Sequence, residues 1–186
     1  MSLSLGELAA LCIKAGRGAG LPWGLAEELG WAVRWLAKRG LPAADGVVTL
    51  LGTDHGESAL STGLALSERS TGPSGVRLQS VRAPLMMVPF LARTVAPGCT
   101  LSVQVAETRF LIGANETSLE APLPALAPVS VSQADEDVPA RSHLTRAPTL
   151  DPKTRASLEA FARQTYAPPN ERSRLLGAGA GLADND

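Results

Sequence analysis

Three tryptophans, Trp23, Trp31 and Trp35, recur with Glu27 at steps of four in the first forty residues, and Arg34 and Lys38 stand among them. An ideal helix advances about 100° per residue, so this series drifts slowly around one side. Leu25, Ala26, Leu29, Val33, Leu36 and Ala37 gather within about 120° on the other, a stripe wide enough for a core. Indoles and guanidinia together are what partner interfaces and ligand clefts use. The chemistry this face could do is therefore contact with a partner, or capture of a small anion by Arg17, Arg34 or the distant Arg174 with Glu27 as acid or base. A purely structural alternative stands beside it, in which the helix is sandwiched and the indoles are packed against a sheet or the preceding helix.

Just upstream, Gly16-Arg17-Gly18-Ala19-Gly20 precedes the helix start, where free backbone N–H groups and a guanidinium could meet a carboxylate or phosphate. The segment follows a helix and lacks the Lys and Ser/Thr of a phosphate loop, so it matches no nucleotide fingerprint. An ordinary helix–helix turn explains it equally, and no cofactor is assigned. A second glycine series, Gly177, Gly179 and Gly181, follows Arg172 and Arg174, with Asp184 and Asp186 close behind. Either these residues fray, or they form an extended segment that docks closely because glycine permits it. Arg174, Gly177 and Gly179 join Arg17, Gly18, Gly20, Trp23, Trp31, Arg34 and Trp35 as candidate ligand or partner contacts.

Other reactive groups form weaker constellations. Asp54, His55 and Glu57 share a loop but have no second pair at ligand spacing, so no metal is assigned. Ser58, Ser61, Cys12 and Cys99 are conceivable nucleophiles, yet no nucleophile elbow surrounds either serine.

These residues need elements to position them. Ser4 with Glu7 three positions on forms a capping box, which predicts a first helix over Leu5 to Ala15. Pro22 suits the first turn of a second helix that Gly40 stops. Past Pro42, short apolar or alternating runs predict strands at Val47 to Leu51, Ala59 to Leu66, Val76 to Val81, Leu101 to Val105, Arg109 to Ile112 and Val129 to Ser132. Leu85 to Val95 reads as a short buried helix that Pro89 could kink. Asp151-Pro152 opens a last helix ending near Tyr166.

The fold class expected is α+β: a helical hairpin over residues 1–40, packed on a mostly antiparallel sheet of four to six strands within residues 41–148. A helix and a glycine-rich tail over 149–186 complete a single domain. Its 186 residues suit one core. The formal charge of −1 offers no basic excess for a run of phosphates, so nucleic acid is not an expected partner. The longest apolar run falls far short of the roughly 20 residues a bilayer requires. Two unpartnered cysteines and an N-terminal stretch broken by Glu7, Lys14 and Arg17 point to a reduced, cytoplasmic setting without a signal peptide.

The segments Leu3-Ser4-Leu5-x-Glu7, Arg17-Gly18-Ala19-Gly20-x-x-Trp23-Gly24-x-Ala26-Glu27-Glu28 and Arg34-Trp35-Leu36, with Arg174-Leu175, Gly177 to Leu182 and Asp184-Asn185-Asp186, resemble an uncharacterised family of small proteobacterial proteins. The resemblance implies a bacterial, cytoplasmic, full-length protein and supplies no activity, cofactor or catalytic residue. It also favours docking of the closing segment near the Arg17 to Gly20 turn. The sequence leads first to a non-catalytic or accessory binding protein, either a homo-oligomer or the partner of a metabolic enzyme. Second comes an enzyme on a small anionic metabolite.

Overall fold

A computed structural model describes residues 3–52, 56–69, 72–120, 122–140, 142–147 and 149–165. The first helix, α1 (Leu5–Gly18), begins at the capping box: the Ser4 N–H donates to the Glu7 carboxylate at 2.7 Å and the Glu7 N–H to the Ser4 hydroxyl at 3.1 Å. Leu8, Cys12 and Ala15 form its buried stripe. A turn at Gly20, whose φ of +92° suits glycine, leads into α2 (Trp23–Lys38), and Gly40 at φ +73° ends it. Ala26, Leu29, Val33, Leu36 and Ala37 are buried and Leu25 half-buried, the aliphatic stripe the wheel projects.

Two segments differ from the expected strands. Residues 47–51 lie in α3 (Ala43–Gly52) and 59–66 make up α4 (Ala59–Ser67). Short apolar runs buried on several sides lose their periodic signature, so strand and helix look alike in sequence. Packing decides between them. A methyl on Gly46 would lie 2.9 Å from Met86 Sδ, and one on Gly63 would lie 3.0 Å from Phe90 Cδ2, so both helices press closely on the chain's middle. That middle is a 3-10 turn over Pro84–Met87 running into α5 (Val88–Thr94), fully buried from Pro84 to Ala92. Pro89 falls in the first turn of α5, where no N–H is needed, so it starts a helix rather than bending one.

Among the described residues five strands form one sheet ordered β1-β2-β5-β3-β4. They are β1 (Glu57–Ser58), β2 (Arg77–Arg82), β3 (Thr100–Val105), β4 (Thr108–Ile112) and β5 (Leu126–Ala134). All pairings are antiparallel except β1 with β2. On β5, Ala127, Val129 and Val131 are buried between exposed Leu126, Pro128 and Ser132, so one face of the sheet joins the core. The helix α6 (Pro152–Arg163) opens on Asp151, whose carboxylate accepts from the Lys153 and Thr154 N–H groups at 2.9 and 3.2 Å. It buries Leu158 against α1 and α3. The protein is thus α+β, with α1 and α2 side by side, α6 against α1, α3 among α1, α2 and α6, and α4 and α5 reaching the sheet at β1 and β4.

Candidate functional site

The outer side of the α1–α2 pair forms a groove in two lobes. Leu5, Ala9, Trp31, Arg34, Trp35, Lys38 and Arg39 border the far lobe, with a volume of about 640 Å³. Lys14, Arg17, Trp23, Glu27, Gln164 and Thr165 border the near lobe, of about 670 Å³. Ala10 and Ile13 belong to both, so the lobes meet over the middle of α1. At this junction a methyl on Gly30 would fall 2.5 Å from Ile13 Cδ1, and its absence lets the isoleucine lean on α2.

The indoles are covered unequally: Trp23 is 62% exposed, Trp31 is 36% exposed with its ring 5.5 Å from that of Phe90, and Trp35 is half-buried against the core. Each also faces a guanidinium. Arg17 lies 5.6 Å from the Trp23 ring, Arg93 3.8 Å from Trp31 and Arg39 3.5 Å from Trp35, within the range of cation–π attraction. Hydrogen bonds fix the cations: Arg17 Nη1 donates to the Leu21 carbonyl at 2.5 Å, Arg93 Nη2 to Glu28 at 2.9 Å, and Arg39 Nη1 to the Trp35 carbonyl at 2.8 Å. Arg39 also donates through Nε and Nη2 to the Asn115 carbonyl, tying α2 to the loop after β4. Burial pushes the Arg39 pKa below its ordinary value, against the opposing pull of the Glu116 carboxylate.

Glu27 and Arg34 border different lobes and form no ion pair with each other; Glu27 shares its lobe with Lys14 and Arg17. Among the described residues no ion pair engages Lys14, Arg34 or Lys38. Gly18 and Gly20 behave differently. Gly20 supplies the turn, whereas Gly18 abuts α6, where an added methyl would fall 1.8 Å from the Phe161 carbonyl oxygen. That carbonyl stands where an anion would approach Gly18. Arg174, Gly177 and Gly179 lie outside the described residues, as do Asp54 and His55. Among the described residues no three His, Cys, Asp or Glu side chains gather to hold a metal.

Cys12 is sealed in the core, and burial pushes its thiol up to about 12, leaving it no nucleophile near neutrality. Sequence reasoning passed over Arg39, Arg93 and Asn115. The Arg39 contact is four residues from Trp35 and follows from helical spacing; the other two come from remote elements and leave no local signal.

The fold and groove define an α+β protein with a cationic, indole-bearing helical hairpin. Residues 3–71, which span α1 to α4, match a family described as a protein of unknown function (DUF3726). Comparison with curated proteins and with solved structures returns no match. Among the described residues, no helix is long and apolar enough to cross a membrane.

Proposed function

We propose that this chain is a non-catalytic binding protein of the bacterial cytoplasm, a partner of a metabolic enzyme or of its own kind, with the α1–α2 groove as its contact surface. One observation carries the reading. The groove has an apolar floor of Leu5, Ala9, Ala10 and Ile13, while Lys14, Arg17, Arg34, Lys38 and Arg39 outnumber Glu27 on its borders. Such a surface suits a protein segment that presents aliphatic side chains together with carboxylates. The indoles supply rigid contact area, and the guanidinia already stacked on them need little reordering to meet an acidic partner.

Capture of a tagged full chain from the cells that make it, beside R34E/K38E and W23S variants, tests this. A protein, or a second copy, held by the natural chain and lost from the variants is the expected result. Equal retention by all three would remove the groove from the contact. Light scattering on the purified chain separates self-association from capture of another protein.

A second reading rests on the near lobe alone, where Glu27, Lys14 and Arg17 border a volume within the range of small-molecule sites. In it a small carboxylate or phosphate is gripped by the cations and Glu27 acts as acid or base. A thermal-shift screen of such anions checks it, since a ligand at 100 times its Kd stabilises by about 2.7 kcal/mol. No shift from any of them would count against an anion site.

A further inference from the structure

Where the chain goes after α6 bears on what fills the groove. Gln164 and Thr165, just past α6, border the near lobe together with Trp23. Trp23 is the most exposed large apolar side chain described, and it stands at that end. The far lobe is purely cationic on its border, through Arg34, Lys38 and Arg39, whereas the near lobe mixes Glu27 with Lys14 and Arg17.

The sequence from 166 to 186 carries the complementary order. Glu171, Arg172 and Arg174 come first, then Leu175 and Leu176, then Gly177-Ala178-Gly179-Ala180-Gly181, and last Leu182 with Asp184 and Asp186. Outward from residue 165 the sequence runs from mixed charge to acid, in the order in which the groove runs from its mixed lobe to its cationic one. The Gly-Ala run between the two charged stretches corresponds in order to the apolar junction of Ala10 and Ile13. Length permits the path: from Glu27 to Lys38 the helix rises about 16 Å, and the 18 residues from 166 to 183 span up to about 60 Å when extended.

On the reading of the groove as a contact surface, we infer that residues 166–186 of this same chain occupy it, with Leu175 and Leu176 over Trp23 and the Asp184 and Asp186 carboxylates against Arg34 and Lys38. An outside partner of like chemistry then binds by displacing them, and the groove's strength for that partner is set by how well it competes.

The chain's three tryptophans give three indole N–H signals, which report on the groove directly. The test uses the full chain with C99S and A183C, carrying a nitroxide on the new thiol, while buried Cys12 stays unlabelled. Intensity losses severalfold larger at Trp31 and Trp35 than at Trp23 are expected, and adding R34E/K38E should restore them. Unchanged indole intensities would overturn the inference, as would losses that survive the charge reversal. A mixture of spin-labelled chain without ¹⁵N and unlabelled ¹⁵N chain must show no loss; broadening there assigns the groove to a second copy instead. The measurement contains no partner, so an empty groove here leaves the capture experiment free to succeed, and a filled one leaves it free to fail.

Discussion

Arg93 lies with its guanidinium 3.8 Å from the Trp31 ring, and the same group donates to Glu28 at 2.9 Å. Arg93 belongs to α5 and both partners to α2, so one side chain joins the buried middle of the protein to the flank of the groove. The R93A variant should lose about 1 kcal/mol, the sum of a half-exposed stack and a half-exposed ion pair. Its tryptophan emission should shift to the red as Trp31 gains water. An unchanged melting temperature and spectrum would show that the stack contributes nothing.

Gly18 and Gly24 should respond in opposite directions to alanine. At Gly18 the new methyl meets the Phe161 carbonyl at 1.8 Å, and backbone on both sides must yield. A loss of about 3 kcal/mol is expected, the upper end of overpacking penalties. At Gly24 no atom stands within 4 Å, so G24A should gain about 0.5–1 kcal/mol from helix propensity. Thermal melts of the two variants measure both, and equal effects would contradict the close approach of α1 to α6.

Acid should weaken the start of α1. The Ser4 backbone N–H, then the Ser4 hydroxyl, hold the Glu7 carboxyl below its ordinary pKa. A carboxyl lowered on folding stabilises above its unfolded pKa and loses that contribution as pH falls through the folded value. The S4A variant, lacking one half of the box, should cost about 1 kcal/mol at pH 7. The gap between S4A and the natural chain should narrow below pH ~4, where the unfolded carboxyl takes its proton. A gap constant from pH 7 to pH 3 would show that the Ser4 hydroxyl has no part in lowering the Glu7 carboxyl.

Thiol chemistry should separate the two cysteines. Cys99 is exposed, and Cys12 is buried with its thiol pushed up to about 12. One equivalent of an aromatic disulfide reagent is expected to react at pH 8 in the native protein, and two in denaturant. Two fast equivalents without denaturant would mean that the α1 core face opens readily.

Much of the architecture is legible from local patterns. Ser4 and Glu7 mark α1, Pro22 and Gly40 bracket α2, Asp151-Pro152 opens α6, and alternation locates β2 to β5. The reading fails at α3 and α4, where Val47, Leu50, Leu60 and Leu66 are buried and the contacts that decide the conformation, Gly46 with Met86 and Gly63 with Phe90, lie far apart in sequence. At the groove, the helical wheel puts the tryptophans on one side of α2, but it is silent about Arg93 and Asn115, which arrive from α5 and the loop after β4. Gly18 shows the same limit: its sequence context suggests an anion cradle, and only the position of α6 reveals the packing it serves.

The seating of α6 on α1 has a consequence for biosynthesis. Roughly 140 residues separate the two helices, and the Ser4–Arg146 bridge closes the same gap. While the chain is being made, the flank of α1 that receives α6 stays bare until α6 has left the ribosome, although α2 is long since available. The hairpin emerges early and is completed late, and a nascent chain stalled before Asp151 presents that apolar flank to chaperones.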